Sequence, residues 1–119
     1  MYSAQVLDHF EHPRNAGELI DPDGAAQVEN PACGDILELT LRVEEGRIAE
    51  IRFRAKGCVP AMACGSLITE MVHAKPVGAA AALTAKDLVA SIGGLPAASG
   101  HAGELAVETL RKALADVKG

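Results

Sequence analysis

The chain has 119 residues, enough for one domain that buries a core without metal or disulfide staples. A formal net charge of −5 argues against general nucleic-acid binding, and no apolar run approaches the roughly 18 residues of a membrane span. Aromatic residues make up only 3 %, so the core must be built from Leu, Ile, Val and Ala.

Residues 3–12 read as a helix with Val6 and Phe10 on one face and Tyr2 a turn earlier, stopped by Pro13. From Arg14 to Gly24 the chain is turn material, with Asn15-Ala16-Gly17 and Asp21-Pro22-Asp23-Gly24. Ala26-Gln27-Val28-Glu29 is a short strand. Two longer strands alternate clearly. Leu37, Leu39, Leu41 and Val43 oppose Glu38, Thr40 and Arg42 in the first. In the second, Ile51, Phe53 and Ala55 oppose Glu50, Arg52, Arg54 and Lys56. Glu44-Glu45-Gly46-Arg47 joins them as a hairpin. One greasy and one charged face is the pattern of an antiparallel sheet covered on a single side.

The remainder reads as helix. Pro60 suits a helix start, and Cys64, Leu67, Ile68, Met71 and Val72 form a stripe that ends before Lys75-Pro76. Ala79–Ala82 makes a small helical turn. Thr84 caps a helix through Ile92, ended by Gly93-Gly94. The last helix, about 102–117, buries Ala106, Leu110, Ala113, Leu114 and Val117. The expected fold is α+β: one domain over 1–119, with a three-stranded antiparallel sheet covered on one face by helices.

Asn30-Pro31-Ala32-Cys33-Gly34-Asp35 sets a thiol and a carboxylate two residues apart. Pro31 stiffens the approach and Gly34 lets both side chains turn toward one point. Gly57-Cys58 returns a second thiol at the end of the hairpin. A soft thiolate beside a hard carboxylate, with another cysteine nearby, suggests a metal or iron–sulfur site. A cysteine is most often a small buried hydrophobe, and Cys64 fits that description on its helical stripe. Cys33 and Cys58 sit instead in glycine-flanked loops. Asp35 alone could be a turn residue. His9, His12 and His73 read as surface or helix-end residues without a role. The chain lacks the basic-then-apolar layout of a signal peptide, and three cysteines, an odd number, fit a reducing cytoplasm.

Tyr2-Ser3, Asp8-His9-Phe10, His12-Pro13-Arg14-Asn15, Asn30 through Asp35, Gly57-Cys58 and Ser66-Leu67-Ile68-Thr69-Glu70 together resemble the U-type iron–sulfur cluster scaffolds, IscU and the N-terminal domain of NifU. The resemblance runs in order over nearly the whole chain. It implies a scaffold and carrier, not a turnover enzyme, on which ferrous iron and sulfide form a transient [2Fe–2S] cluster. A cysteine desulfurase would supply the sulfur as persulfide, and apo iron–sulfur proteins would accept the product. The family's site uses three cysteines and an aspartate, with a histidine beside the third cysteine. Cys33, Asp35 and Cys58 match directly. Gly100-His101-Ala102-Gly103 matches the histidine at His101 but holds Ala102 where the third thiol belongs. The IscU branch's leucine–proline–proline–valine–lysine segment is altered to Leu95-Pro96-Ala97-Ala98-Ser99.

The resemblance therefore implies a variant set, Cys33, Asp35, Cys58 and His101, adequate for one Zn²⁺ or a [2Fe–2S] centre. Cys64 is surplus to it. A rival reading is a zinc-bearing sulfurtransferase of the SufU type, and a third is a metal-binding paralogue without assembly activity. No nucleic acid or membrane partner is expected, and the chain reads as a monomer or weak homodimer.

Overall fold

A computed structural model describes residues 2–31, 34–96 and 99–117. The elements are α1 (Ala4–Glu11), β1 (Gly24–Glu29), β2 (Ile36–Glu44), β3 (Arg47–Lys56), α2 (Val59–Val72), α3 (Val77–Ala81), α4 (Ala85–Ser91) and α5 (His101–Ala115). The three strands form one antiparallel sheet in the order β1-β2-β3, as expected. Among the described residues no helix is long and apolar enough to cross a membrane.

The period-2 pattern explains the layering. Leu39 lies opposite Phe53 and Leu41 opposite Ile51, all on the face that α2 and α5 cover. These four residues are at most 3 % exposed and meet Ile68, Ala106 and Leu110 in one core. On the other face Glu38 lies opposite Arg54 and Arg42 opposite Glu50, as ion pairs of 3.8 and 3.4 Å. That face is not fully wet. The chain after α1 crosses it, so Thr40 is buried and its hydroxyl accepts the Leu19 N–H at 3.0 Å.

The outer edge of β3 is met at two points by loop segments. Phe53 donates its N–H to Asn15 O, and Gly17 N–H donates to Phe53 O. Further along, Ile48 N–H donates to Lys75 O and Ile48 O accepts from Ala74 N–H. Two loop segments thus occupy the positions a fourth strand would take.

β1 starts two residues earlier than the sequence suggests, at Gly24. Asp23-Gly24 reads as a turn, but Gly24 is there for close approach: a Cβ would overlap the Ala113 carbonyl oxygen of α5. α5 begins one residue earlier than expected, at His101, and α3 covers 77–81 rather than 79–82. The Thr84 cap is present, with Thr84 Oγ1 accepting Asp87 N–H and Asp87 Oδ2 accepting Thr84 N–H.

α1 departs from its expected face. Val6 is buried, but Phe10 is 37 % exposed and His9 lies inside at 7 %. Val6 and His9, three residues apart, face α2, and polar pairing keeps the imidazole there. Ser66 Oγ accepts the Arg14 N–H at 2.9 Å and shares a hydrogen bond with His9 Nδ1, 2.8 Å away. His9 Nε2 faces Glu70 Oε1 at 3.4 Å. His9 is therefore a buried, partnered residue rather than a surface one. His12 and His73 are exposed.

Burial holds the His9 pKa below the usual imidazole value, Arg14 adds to this, and Glu70 and Asp8 oppose it. The unfolded chain then takes up a proton that the folded chain resists. Stability should be full above the ordinary imidazole pKa of about 6.5 and fall as pH drops through it toward the lowered value. Urea midpoints measured across that range should decline for the native chain and decline less for His9→Gln. Equal slopes would show that His9 carries no such linkage.

Candidate metal centre

Three elements deliver side chains to one end of the sheet. Asp35 immediately precedes β2, and Cys58 follows β3 as the N-cap residue of α2. Because Ile36 pairs with Lys56, the hairpin itself sets Asp35 beside Gly57-Cys58. His101 is the first residue of α5, whose packing on β1 and β2 carries it to the same corner. Asn30 N–H donates to Asp35 O at 2.8 Å, and Gly34 N–H donates to Asn30 O at 2.7 Å.

Asp35 is 3 % exposed, whereas Cys58 and His101 are half-buried. Asp35 Oδ1 accepts the Cys58 backbone N–H at 3.1 Å, and Oδ2 accepts from Cys58 Sγ at 3.1 Å. His101 Nε2 lies 3.6 Å from the same Oδ2. One ligand atom from each of the three residues falls within 4.8 Å of the others. Tetrahedral ligands at zinc-type bond lengths sit roughly 3.5 Å apart, so a small contraction would bring these atoms onto one ion. α2 and α5 both begin at this corner, and the field of a helix N-terminus favours negative charge there.

Of the expected ligands, the structure brings Asp35, Cys58 and His101 together, and Cys33 lies outside the described residues. Cys64 is not at the site. It is fully buried in the core, and burial, with Cys58 adding, pushes its thiol up to about 12. A thiol so held stays protonated at neutral pH and is a poor ligand. Ala102 is likewise buried, at 1 % exposure.

Sequence reasoning treats Gly57 only as a flank of Cys58. The register shows more: with φ +143° it lies against the Asp35 carboxylate, and a Cβ there would overlap Oδ1 and stand 2.7 Å from Cγ. A glycine at the last turn of a strand was the available signal, but its neighbour is visible only once β2 and β3 are paired.

The domain family described as NifU-like N terminal domain matches residues 1–119. A protein named iron-sulfur cluster assembly scaffold protein IscU from Aquifex aeolicus is 45 % identical over 117 residues, covering 97 % of this chain and 74 % of its own. Its namesake IscU 1 from Archaeoglobus fulgidus is 40 % identical over 116 residues, 98 % of this chain and 76 % of that one. The Escherichia coli IscU is 39 % identical over 121 residues, 98 % and 94 % of the two chains. Among solved structures, the N-terminal NifU-like protein of Brucella abortus superposes with a TM-score of 0.78 at 16 % identity, covering 97 % of this chain and 92 % of that one. A SufU protein of Fervidobacterium islandicum gives 0.76 at 18 % identity, covering 95 % and 96 %. These two likenesses speak to the fold alone.

Proposed function

Because the chain belongs to the NifU-like N-terminal domain family, we propose that it is an iron–sulfur cluster assembly scaffold that builds a [2Fe–2S] cluster and passes it on. Cys33, Asp35, Cys58 and His101 are the proposed ligands, with His101 in place of a third thiolate. The observation that carries this reading is the convergence of Asp35, Cys58 and His101 within 4.8 Å at the mouth of two helices.

The chemistry follows from the donor types. Thiolates hold iron firmly and tolerate bridging sulfide, whereas a carboxylate is a harder and more weakly held partner. Imidazole replaces thiolate in Rieske-type centres, so a histidine ligand is adequate here. The helix N-termini offset the negative charge of the assembled cargo. A scaffold must also release what it builds, and Asp35 is the arm that lets go most readily. A cysteine desulfurase would supply the sulfur and apo iron–sulfur proteins would take the product, within a reducing cytoplasm and with the chain as a monomer or weak homodimer.

Anaerobic incubation with Fe²⁺, sulfide and thiol should turn the protein red-brown and give a cluster transferable to an apo-ferredoxin. A chain that stays colourless, retains Zn²⁺ and accelerates a desulfurase is instead a SufU-type sulfurtransferase. Asp35→Ala should leave assembly possible but slow transfer, because the exchangeable arm through which an acceptor thiolate enters is gone. Transfer as fast as in the native chain would count against that role for Asp35.

A further inference from the structure

The Asp35 carboxylate has both oxygens engaged by Cys58, one by the backbone N–H and one by the thiol, each at 3.1 Å. This pose exists only because residue 57 has no side chain: a Cβ there would overlap Oδ1 and crowd Cγ and Cα, at 2.7 and 3.0 Å. The three atoms nearest to such a Cβ all belong to Asp35. Resting on the scaffold reading above, we propose that Gly57 is a positioning residue that keeps open the pose in which Asp35 folds back onto Cys58, and that this pose promotes release of bound metal.

The physical reason is the fate of the departing carboxylate. A carboxylate that leaves a metal in a nearly dry corner must find another partner or bear the full cost of an unpaired buried charge. The Cys58 N–H offers a charge-assisted hydrogen bond at once, and the α2 N-terminus adds its favourable field. With a side chain at 57 the route is shut, and Asp35 stays on its ligand.

The test uses Zn²⁺ as the probe, its loss timed with a chromophoric chelator, on the full chain and three variants. A second readout without metal is the amide proton shift of Cys58, which reports the bond to Asp35 directly. Gly57→Ala should move that amide signal as Asp35→Ala does and lengthen Zn²⁺ retention roughly tenfold, the worth of one hydrogen bond to a charged group. In the Asp35→Ala background, Gly57→Ala should add nothing to retention. An unmoved Cys58 amide, or unchanged retention in Gly57→Ala, overturns the proposal. Should Gly57→Ala fail to fold, the pair Asp35→Gly/Gly57→Ala decides. A folded double variant places the conflict at the carboxylate and supports the proposal; an unfolded one traces it to the backbone angle and overturns it. The zinc arm does not depend on cluster assembly, so failed reconstitution counts against the scaffold reading and not against the role of Gly57.

Discussion

Cys58→Ser is expected to cost most of the bound metal, and Cys33→Ser the same, with the fold intact. Loss of a group that merely orients a ligand lowers metal affinity 10–100-fold, so loss of a ligand itself should cost at least about 100-fold. Serine cannot supply the soft donor that iron or zinc prefers, and the shortened side chain leaves the ion open to water. The fold should tolerate the change at Cys58. That residue is the N-cap of α2, where its side chain makes no capping bond and serine is a favoured residue. Metal content by elemental analysis, with the unfolding midpoint as a control, reads the outcome. Full retention of metal in either variant sinks the ligand assignment.

A comparable loss is expected for His101→Ala, set against Cys64→Ala as its foil. His101 Nε2 sits 3.6 Å from Asp35 Oδ2, at the first residue of α5. Cys64 is fully buried among Leu, Ile and Val side chains, with its thiol pushed up to about 12. Removing His101 should weaken metal binding by roughly 100-fold, while removing the Cys64 sulfur should cost about 1 kcal/mol of stability through a small cavity and leave metal binding alone. Chelator competition and urea denaturation separate the two effects. If Cys64→Ala strips the metal and His101→Ala does not, the assignment reverses and Cys64 is the third thiolate.

The strands were the most legible part of the chain, because Leu37 to Val43 and Ile51 to Lys56 alternate without interruption and one sheet face is buried. What alternation cannot show is what lies on the far face. Thr40 looks solvent-facing in the pattern and is buried by a loop that arrives from residues 15–20. Helix periodicity failed at α1 for a related reason. Phe10 outranks His9 on any apolar scale, yet the histidine is inside because its polar atoms find Ser66, 57 residues away in sequence. The proposed ligands were named from donor type and flanking glycines, and resemblance supplied His101. Their mutual distances were not, since they depend on the β2–β3 register and on where α5 begins.

The loop contacts along the edge of β3 have a consequence for how such a protein survives at high concentration. An open strand edge is a template onto which a second molecule can add and begin a fibril, and β2 and β3 are rich in aliphatic residues. Asn15 to Gly17 and Ala74 to Lys75 use up the backbone groups of Phe53 and Ile48 that such an addition needs. On the opposite margin, Asp116 takes the Ala25 N–H at 3.0 Å. Recruitment of a like strand along β3 would first have to peel away a segment anchored by Thr69 and Arg52 through the Asn15 side chain. The two straps thus act as a barrier to polymerisation, and cutting Asn15 back to alanine would loosen the one nearest the core.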